Sequence, residues 1–311
     1  MSTETIEQTF EVGSPAQLKV GNVRGTVDIR LGDEGVIAVT AVKHGSSNGT
    51  QIIIEQLDDG KVVVEAKQEN SVMSWFGMNK PNKVDFTIRV PKSCALKLNC
   101  VSCDAAVEGL EGEIDVNTVS GDLKLNNLSG AFNFSAVSGE IQAQRISGSL
   151  ALNTVSGDVQ IAESQISSLE GKTVSGDMHF QTSLAAGPYV FKTVSGNVTL
   201  LPPEDQGCVV NIKSVSGEIN TSLPVSQQYG HGPNRSLTIL TGGPEISLKS
   251  VSGDIHIGEK AEALPKVEVE TARPVKPIKP AEPVKSQMQI LEEIENGELS
   301  VEDALKMMNP R

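Results

Sequence analysis

Aromatic side chains are scarce in this sequence: one Trp, two Tyr and seven Phe, 3% of 311 residues. Surfaces that stack bases or sugars are built on aromatic faces, so such roles begin at a disadvantage. Cations are outnumbered too, with 26 Lys and Arg against 39 Asp and Glu, a formal charge of −13. Affinity for nucleic acid comes largely from cations neutralising phosphates, so no nucleic-acid partner is expected. Four cysteines (Cys94, Cys100, Cys103, Cys208) are too few to staple a chain of this length, and free thiols are the expectation. No stretch approaches the roughly eighteen apolar residues that cross a bilayer as a helix. Residues 1–10 lack the basic start and apolar run of a secretory signal. Those absences predict a cytoplasmic protein, at most peripherally associated with a membrane.

What the chain has instead is repetition. The phrase Val-Ser-Gly followed by an acid or amide starts at Val119, Val137, Val155, Val174, Val194, Val215 and Val251, with a decayed copy at Val101-Ser102-Cys103-Asp104. Successive copies are eighteen to twenty-one residues apart, except for a last gap of thirty-six, which is two units. Self-similarity at a fixed period of this size means stacked structural repeats. Within each unit the apolar residues alternate, which is the mark of strands with one buried face. The expected inward series are Val119, Gly121, Leu123, Leu125 and their equivalents, with a slip of phase at Asn117-Thr118 and Asn153-Thr154. A second glycine corner at Gly112, Gly130 and Gly148 marks a half-period. The glycines of the phrase (Gly121, Gly139, Gly157, Gly176, Gly196, Gly217, Gly253) fall where a corner crowds the backbone against the core. An all-β solenoid of seven to eight coils fits better than a meander of hairpins.

The organisation around the repeats reads as follows. Residues 1–95 carry short strands and the hairpin signal Asp58-Asp59-Gly60, which predicts an N-terminal antiparallel β region capping the stack. Residues 96–258 form the solenoid, with 221–240 as an inserted loop. Residues 259–285 are a Pro-rich linker, and 286–311 have the periodicity of a small helical hairpin. Two concentrations of apolar residues stand outside the repeats. One is Met73, Trp75, Phe76 and Met78 in a predicted loop, which either folds over the end of the core or meets a partner or membrane. The other is the hairpin face made by Leu291, Ile294, Leu305 and Met308, too short to be stable alone and so expected to dock or self-associate.

The Thr-Val-Ser-Gly-Asp units at Thr118, Thr154 and Thr173, the near-copy from Thr193 to Asn197, and the Arg89-Val90-Pro91 lead-in resemble the bacterial "putative adhesin" β-strand-repeat family. The terminal hairpin resembles short oligomerisation-type modules attached to some members. The resemblance implies a non-enzymatic role, in some members tied to the cell-envelope stress response, and supplies no catalytic residues.

The residues themselves point the same way. His44, His179, His231 and His256 are isolated in sequence, and a serine in every repeat is no nucleophile without a paired base. A column of outward acids (Asp122, Glu140, Asp158, Asp177, Glu218, Asp254) could bind a cation, but calcium needs six to eight oxygens per site and Gly-Asp is good corner chemistry in its own right. No enzyme activity, cofactor, metal or small-molecule substrate is expected. The leading expectation is a scaffold that binds a protein partner or itself. An exported surface adhesin is the runner-up, and a carbohydrate-active β-helix enzyme the third.

Overall fold

The computed structural model describes residues 3–45, 50–68, 81–232 and 234–258. Met73, Trp75, Phe76, Met78, Leu291, Ile294, Leu305 and Met308, with the Pro-rich stretch and the expected helical hairpin, lie outside the described residues. Every regular element among the described residues is a β-strand.

One unit of the stack is a long strand, a corner, a short strand and a second corner. In mid-chain these are β8 (Glu111–Ser120) and β9 (Leu123–Asn126), then β10 (Ser129–Ser138) and β11 (Ile141–Gln144), then β12 (Ser147–Ser156) and the start of β13 (Val159–Ser175). Long pairs with long and short with short, always in parallel, so equivalent residues stack: Ile114 on Phe132 on Leu150, and Leu123 on Ile141 on Val159. A one-residue slip would turn every inward side chain out, so the apolar alternation fixes this register. The inward residues of all coils join in one continuous core, with Phe134, Phe180 and Phe191 fully buried in it. Phe180 and Phe191 meet edge to face at 5.0 Å. The stack is thus the all-β, solenoid-like architecture expected.

Three features differ from expectation. The first is the start of the stack. β2 (Ala16–Leu31) runs parallel to β7 (Cys94–Glu108) from Ala16 opposite Cys94 to Ile29 opposite Val107, so the first coil is residues 16–31 rather than a segment after 95. Its corner, Val23-Arg24-Gly25-Thr26, is a decayed copy of the repeated phrase. β5 (Val62–Gln68) and β6 (Lys83–Val90) lie parallel to the two halves of β2 on its outer edge. The antiparallel cap is built on those two: β4 (Thr50–Gln56) on β5, β3 (Val36–His44) on β6, and β1 (Thr3–Glu11) on β3.

The second difference is the order at the other end. After β14 (Met178–Leu184), β15 (Tyr189–Ser195) and β16 (Val198–Leu201), the chain skips a level to β17 (Cys208–Ser216) and β18 (Ile219–Thr221). It then forms the hairpin β19 (Val225–His231) and β20 (Asn234–Ile239), where a loop was expected, and β20 closes the ladder antiparallel to β17. Only then do β21 (Glu245–Ser252) and β22 (Ile255–Ile257) enter the vacant level. β21 is parallel to β15 on one side and β17 on the other, and β22 lies between β16 and β18. The last coil in sequence is therefore next to last in space.

The third is the side-chain phase at the corner. Val119 was expected to face in, yet it is 48% exposed, and Val101, Val137, Val155, Val174, Val194 and Val251 are similarly placed. The inward position is the one before it, occupied by buried Cys100, Thr118, Ala136, Thr154, Thr173, Thr193, Ser214 or Ser250. Two successive residues, valine and serine, then face solvent before the glycine turns the chain. The slip of phase lies at Val119-Ser120, not at Asn117-Thr118. Small residues are needed inside because the backbone closes in on the core there; at Thr173 and Ser214 the hydroxyl also donates to the carbonyl of Ser175 or Ser216.

Candidate interaction surface

The repeated phrase divides into residues that build the corner and residues that the corner displays. Glycine builds it. Gly121, Gly139, Gly157, Gly176, Gly196, Gly217 and Gly253 all have φ between 122° and 148°. At Gly157 a Cβ would stand 2.1 Å from the carbonyl oxygen of Gly139 in the coil before. Neither the torsion nor the approach admits a side chain.

The acid builds it too. The Asp122 N–H donates to Asp104 Oδ1 (3.0 Å) and the Glu140 N–H to Asp122 Oδ1 (3.0 Å). Further along, Asp177 donates to Asp158, Asn197 to Asp177, Asp254 to Asn197 and Glu218 to Asp254, at 2.8–2.9 Å. Each short side chain satisfies a corner N–H that the backbone ladder misses. Asparagine serves as well as aspartate because only one acceptor oxygen is used. The column expected to be either a cation ladder or corner chemistry is engaged in the second role. Glutamate is a methylene too long: Glu140 turns aside to accept from Gln142 Nε2 (2.8 Å), while Glu218 sits on the last coil of the parallel stack. Glu140→Asp should therefore restore a bond to the Asp158 N–H and raise stability by about 1 kcal/mol, read as a higher urea midpoint with unchanged slope. An unchanged or lower midpoint would count against this role for the acids.

Valine and serine are what the corner displays. Stacked in spatial order, Val23, Val101, Val119, Val137, Val155, Val174, Val194, Val251 and Val215 form a column down the stack, with Ser102 to Ser216 beside all but the first. At about 4.8 Å per coil the column is roughly 40 Å long. From Val101 to Val251 each valine, with a valine above and below it, is 46–48% exposed, and at Val215, on the last parallel coil, exposure rises to 75%.

Other groups with chemical potential are committed elsewhere. Cys100 and Cys103, expected as thiols, form a disulfide with Cα atoms 5.7 Å apart. Cys103 replaces the corner glycine with a buried side chain, and that inward turn brings it to Cys100. Cys94 and Cys208 are buried free thiols pushed up to about 12 and about 11 by desolvation, too high for a reactive thiolate. His44 Nε2 lies 2.8 Å from Asp85 Oδ2, and the Thr26 hydroxyl donates to Asp85 Oδ1 (2.9 Å). Here the hydroxyl meets the carboxylate and not the imidazole, so the three groups are not a nucleophile, base and orienter in series. Burial pushes Asp85 up, but hydrogen bonds from Lys83, Thr26 and His44 outweigh it and hold the carboxyl below its ordinary value. A cleft of about 500 Å³ is lined by Glu163, Ser164, Thr182, Pro202, Glu204 and Leu223 among others. Its buried hydroxyls are taken up internally, Ser164 by the Ala162 carbonyl (2.7 Å) and Thr182 by the Ser164 carbonyl (3.0 Å). Among the described residues no three His, Cys, Asp or Glu are grouped to hold a metal ion.

A family model described as Toastrack DUF4097 matches residues 17–258. Solved structures that the chain is similar to include a "putative adhesin" from Bacteroides fragilis, 12% identical over 82% of this chain and 97% of that one, with a TM-score of 0.47. A "putative cell adhesion protein" from Clostridium sporogenes is 13% identical over 82% of this chain and 99% of its own, TM-score 0.28. A "putative lipid binding protein" from Parabacteroides distasonis is 12% identical over 82% and 97%, TM-score 0.39. No curated protein matches the chain.

Proposed function

Because this chain belongs to the Toastrack DUF4097 family over residues 17–258, we propose that it is a non-catalytic β-solenoid scaffold that binds a macromolecular partner along its exposed valine–serine side. The observation that carries this reading is the outward valine. A strand position of that kind wants a β-branched residue, and threonine would meet the need with one exposed methyl in place of two and a hydroxyl that water can solvate. The chain uses valine in every copy of the phrase instead. A continuous apolar stripe is what a partner can bury, and monomeric surfaces otherwise keep such patches small. Glycine and the acid are accounted for by the corner, so the valines, with the serines beside them, are the repeated residues left without an internal task.

The triple variant Val137→Thr, Val155→Thr, Val174→Thr tests this. Its thermal midpoint should stay within a few degrees of the parent, because the substitution is nearly isosteric and solvent-facing. A photoreactive side chain at Ser156 should give a discrete crosslinked adduct in cells that the triple variant loses. Equal adduct yield in parent and variant would reject the valine stripe as the contact.

The Cys100–Cys103 disulfide favours a second reading, an adhesin working in an oxidising compartment, where such bonds persist. Proteolytic shaving of intact cells separates the two: digestion of the chain would displace the cytoplasmic scaffold, and protection would displace the adhesin.

A further inference from the structure

Two residues before each exposed valine lies another outward position, and its chemistry changes along the stack. In the earlier coils it is Asn99, Asn117, Ser135 and Asn153. In the later coils it is Lys172, Lys192, Lys249 and Lys213, paired in that spatial order: Lys172 opposite Lys192, Lys192 opposite Lys249, and Lys249 opposite Lys213. The late entry of β21 is what sets Lys249 between Lys192 and Lys213. Four ammonium groups thus stem from one straight line of backbone, at about 4.8 Å per coil, in a chain with a formal charge of −13.

Like charges directly opposite on neighbouring strands destabilise a sheet, and the surroundings relieve only half of this row. Glu170 reaches Lys172 (2.7 Å) and Lys192 (3.6 Å). Among the described residues no carboxylate pairs with Lys213 or Lys249, both exposed. The column on one side of them is Val190, Ser247 and Asn211 beyond Glu170, and on the other Val174, Val194, Val251 and Val215. Glu245 is held by Asn211 Nδ2 (2.5 Å). Across the corner, Asp177, Asn197 and Asp254 are engaged by backbone N–H groups.

We propose that the Lys172–Lys192–Lys249–Lys213 row is a docking face for the phosphate headgroups of an anionic phospholipid bilayer. Lysine is a hydrated point charge on a flexible stem, suited to a diffuse field of anionic headgroups, whereas bidentate capture of one fixed carboxylate or phosphate would call for arginine, which the row lacks. The column beside it is valine and not aromatic, so it offers no platform for stacked bases. A flat bilayer also meets one face only, and the acids elsewhere on the chain are screened from it beyond about 8 Å at physiological salt. This assignment does not depend on the valine stripe having a protein partner.

The full chain should sediment with vesicles of phosphatidylcholine and phosphatidylglycerol at 7:3, and not with phosphatidylcholine alone, and NaCl should release it. Each lysine at such a surface is worth roughly fivefold in partitioning, so Lys213→Gln with Lys249→Gln should lower binding about 25-fold. Lys213→Arg with Lys249→Arg should retain it, and Lys124→Gln, on a different column, should leave it unchanged. The Gln pair should melt no lower than the parent, since it removes repulsion, so loss of binding cannot be loss of fold. Failure of the parent to bind anionic vesicles would overturn the proposal, as would binding that the Gln pair leaves intact. Capture of polyphosphate or single-stranded DNA without capture of vesicles would overturn it equally.

Discussion

Gly157→Ala should be among the most damaging single substitutions available in this protein, costing about 4 kcal/mol or more. Two penalties coincide there. The residue sits at φ 148°, where a side chain is strained by about 1–3 kcal/mol. The new Cβ would also overlap a carbonyl oxygen of the preceding coil, and backbone can yield only by parting the two corners. Parting them removes ladder bonds on both sides of the corner. Urea unfolding followed by far-UV circular dichroism would show the effect as a midpoint lowered by more than 1 M, with the slope of 1–3 kcal/mol/M usual for small proteins taken as the scale. Gly60→Ala is the contrast: φ is 82° but nothing lies within 4 Å of the added carbon, so only torsional strain is paid. Similar losses at the two sites would mean that the close approach is not what the glycine column serves.

A chain ending at Gly243 should lose more than one coil. In a stack laid down in sequence order, deleting the terminal unit exposes one interface. Here it removes the layer between β15 and β17, with fully buried Ile246, Leu248, Ile255 and Ile257. At about 2 kcal/mol for each buried aliphatic side chain, roughly 8 kcal/mol of burial goes with it, and β17 and β18 lose the strands they pair with in parallel, β21 and β22. Compared with a chain ending at Gly258, hydrogen exchange should show residues 208–221 unprotected while the coils formed by β8 to β12 keep their protection. Retained protection at 208–221 would mean that β17 can settle directly on β15.

The period, the corner and the inward strand faces were readable from the sequence, because alternation and glycine spacing express backbone geometry directly. Valine at the corner was not. Its apolar character suggested burial, but the inward slot beside a closing backbone takes Thr118, Ala136 or Ser250, and the strand only asks for a β-branched residue outside. The spatial order of the last coils was hidden for a different reason. A gap of thirty-six residues is compatible with any arrangement of two whole units, since every copy presents the same edges. The first coil was obscured by decay of its phrase to Val23-Arg24-Gly25-Thr26. The lysine row was present in plain view, as Lys-Thr-Val-Ser or Lys-Ser-Val-Ser in the last four copies against Asn or Ser in the earlier ones. Counting the basic residues hid it, and aligning the copies reveals it. Trp75, Phe76 and the terminal hairpin, which stand out by their apolar content, lie outside the described residues, so the valine and lysine columns come wholly from the repeats.

The aspartate-to-backbone bonds at the corners have a consequence for how such a chain can change over generations. Each bond joins a side chain on one level to the N–H on the next, without regard to which level was made first. Asp254 shows this: its carboxylate accepts from the N–H of Glu218, an earlier copy, while its own N–H donates to Asn197, two copies back along the chain. The corner therefore works as a joint of standard gauge. A unit of eighteen to twenty-one residues can be duplicated, lengthened at its free side or threaded in out of turn, and the joint still closes.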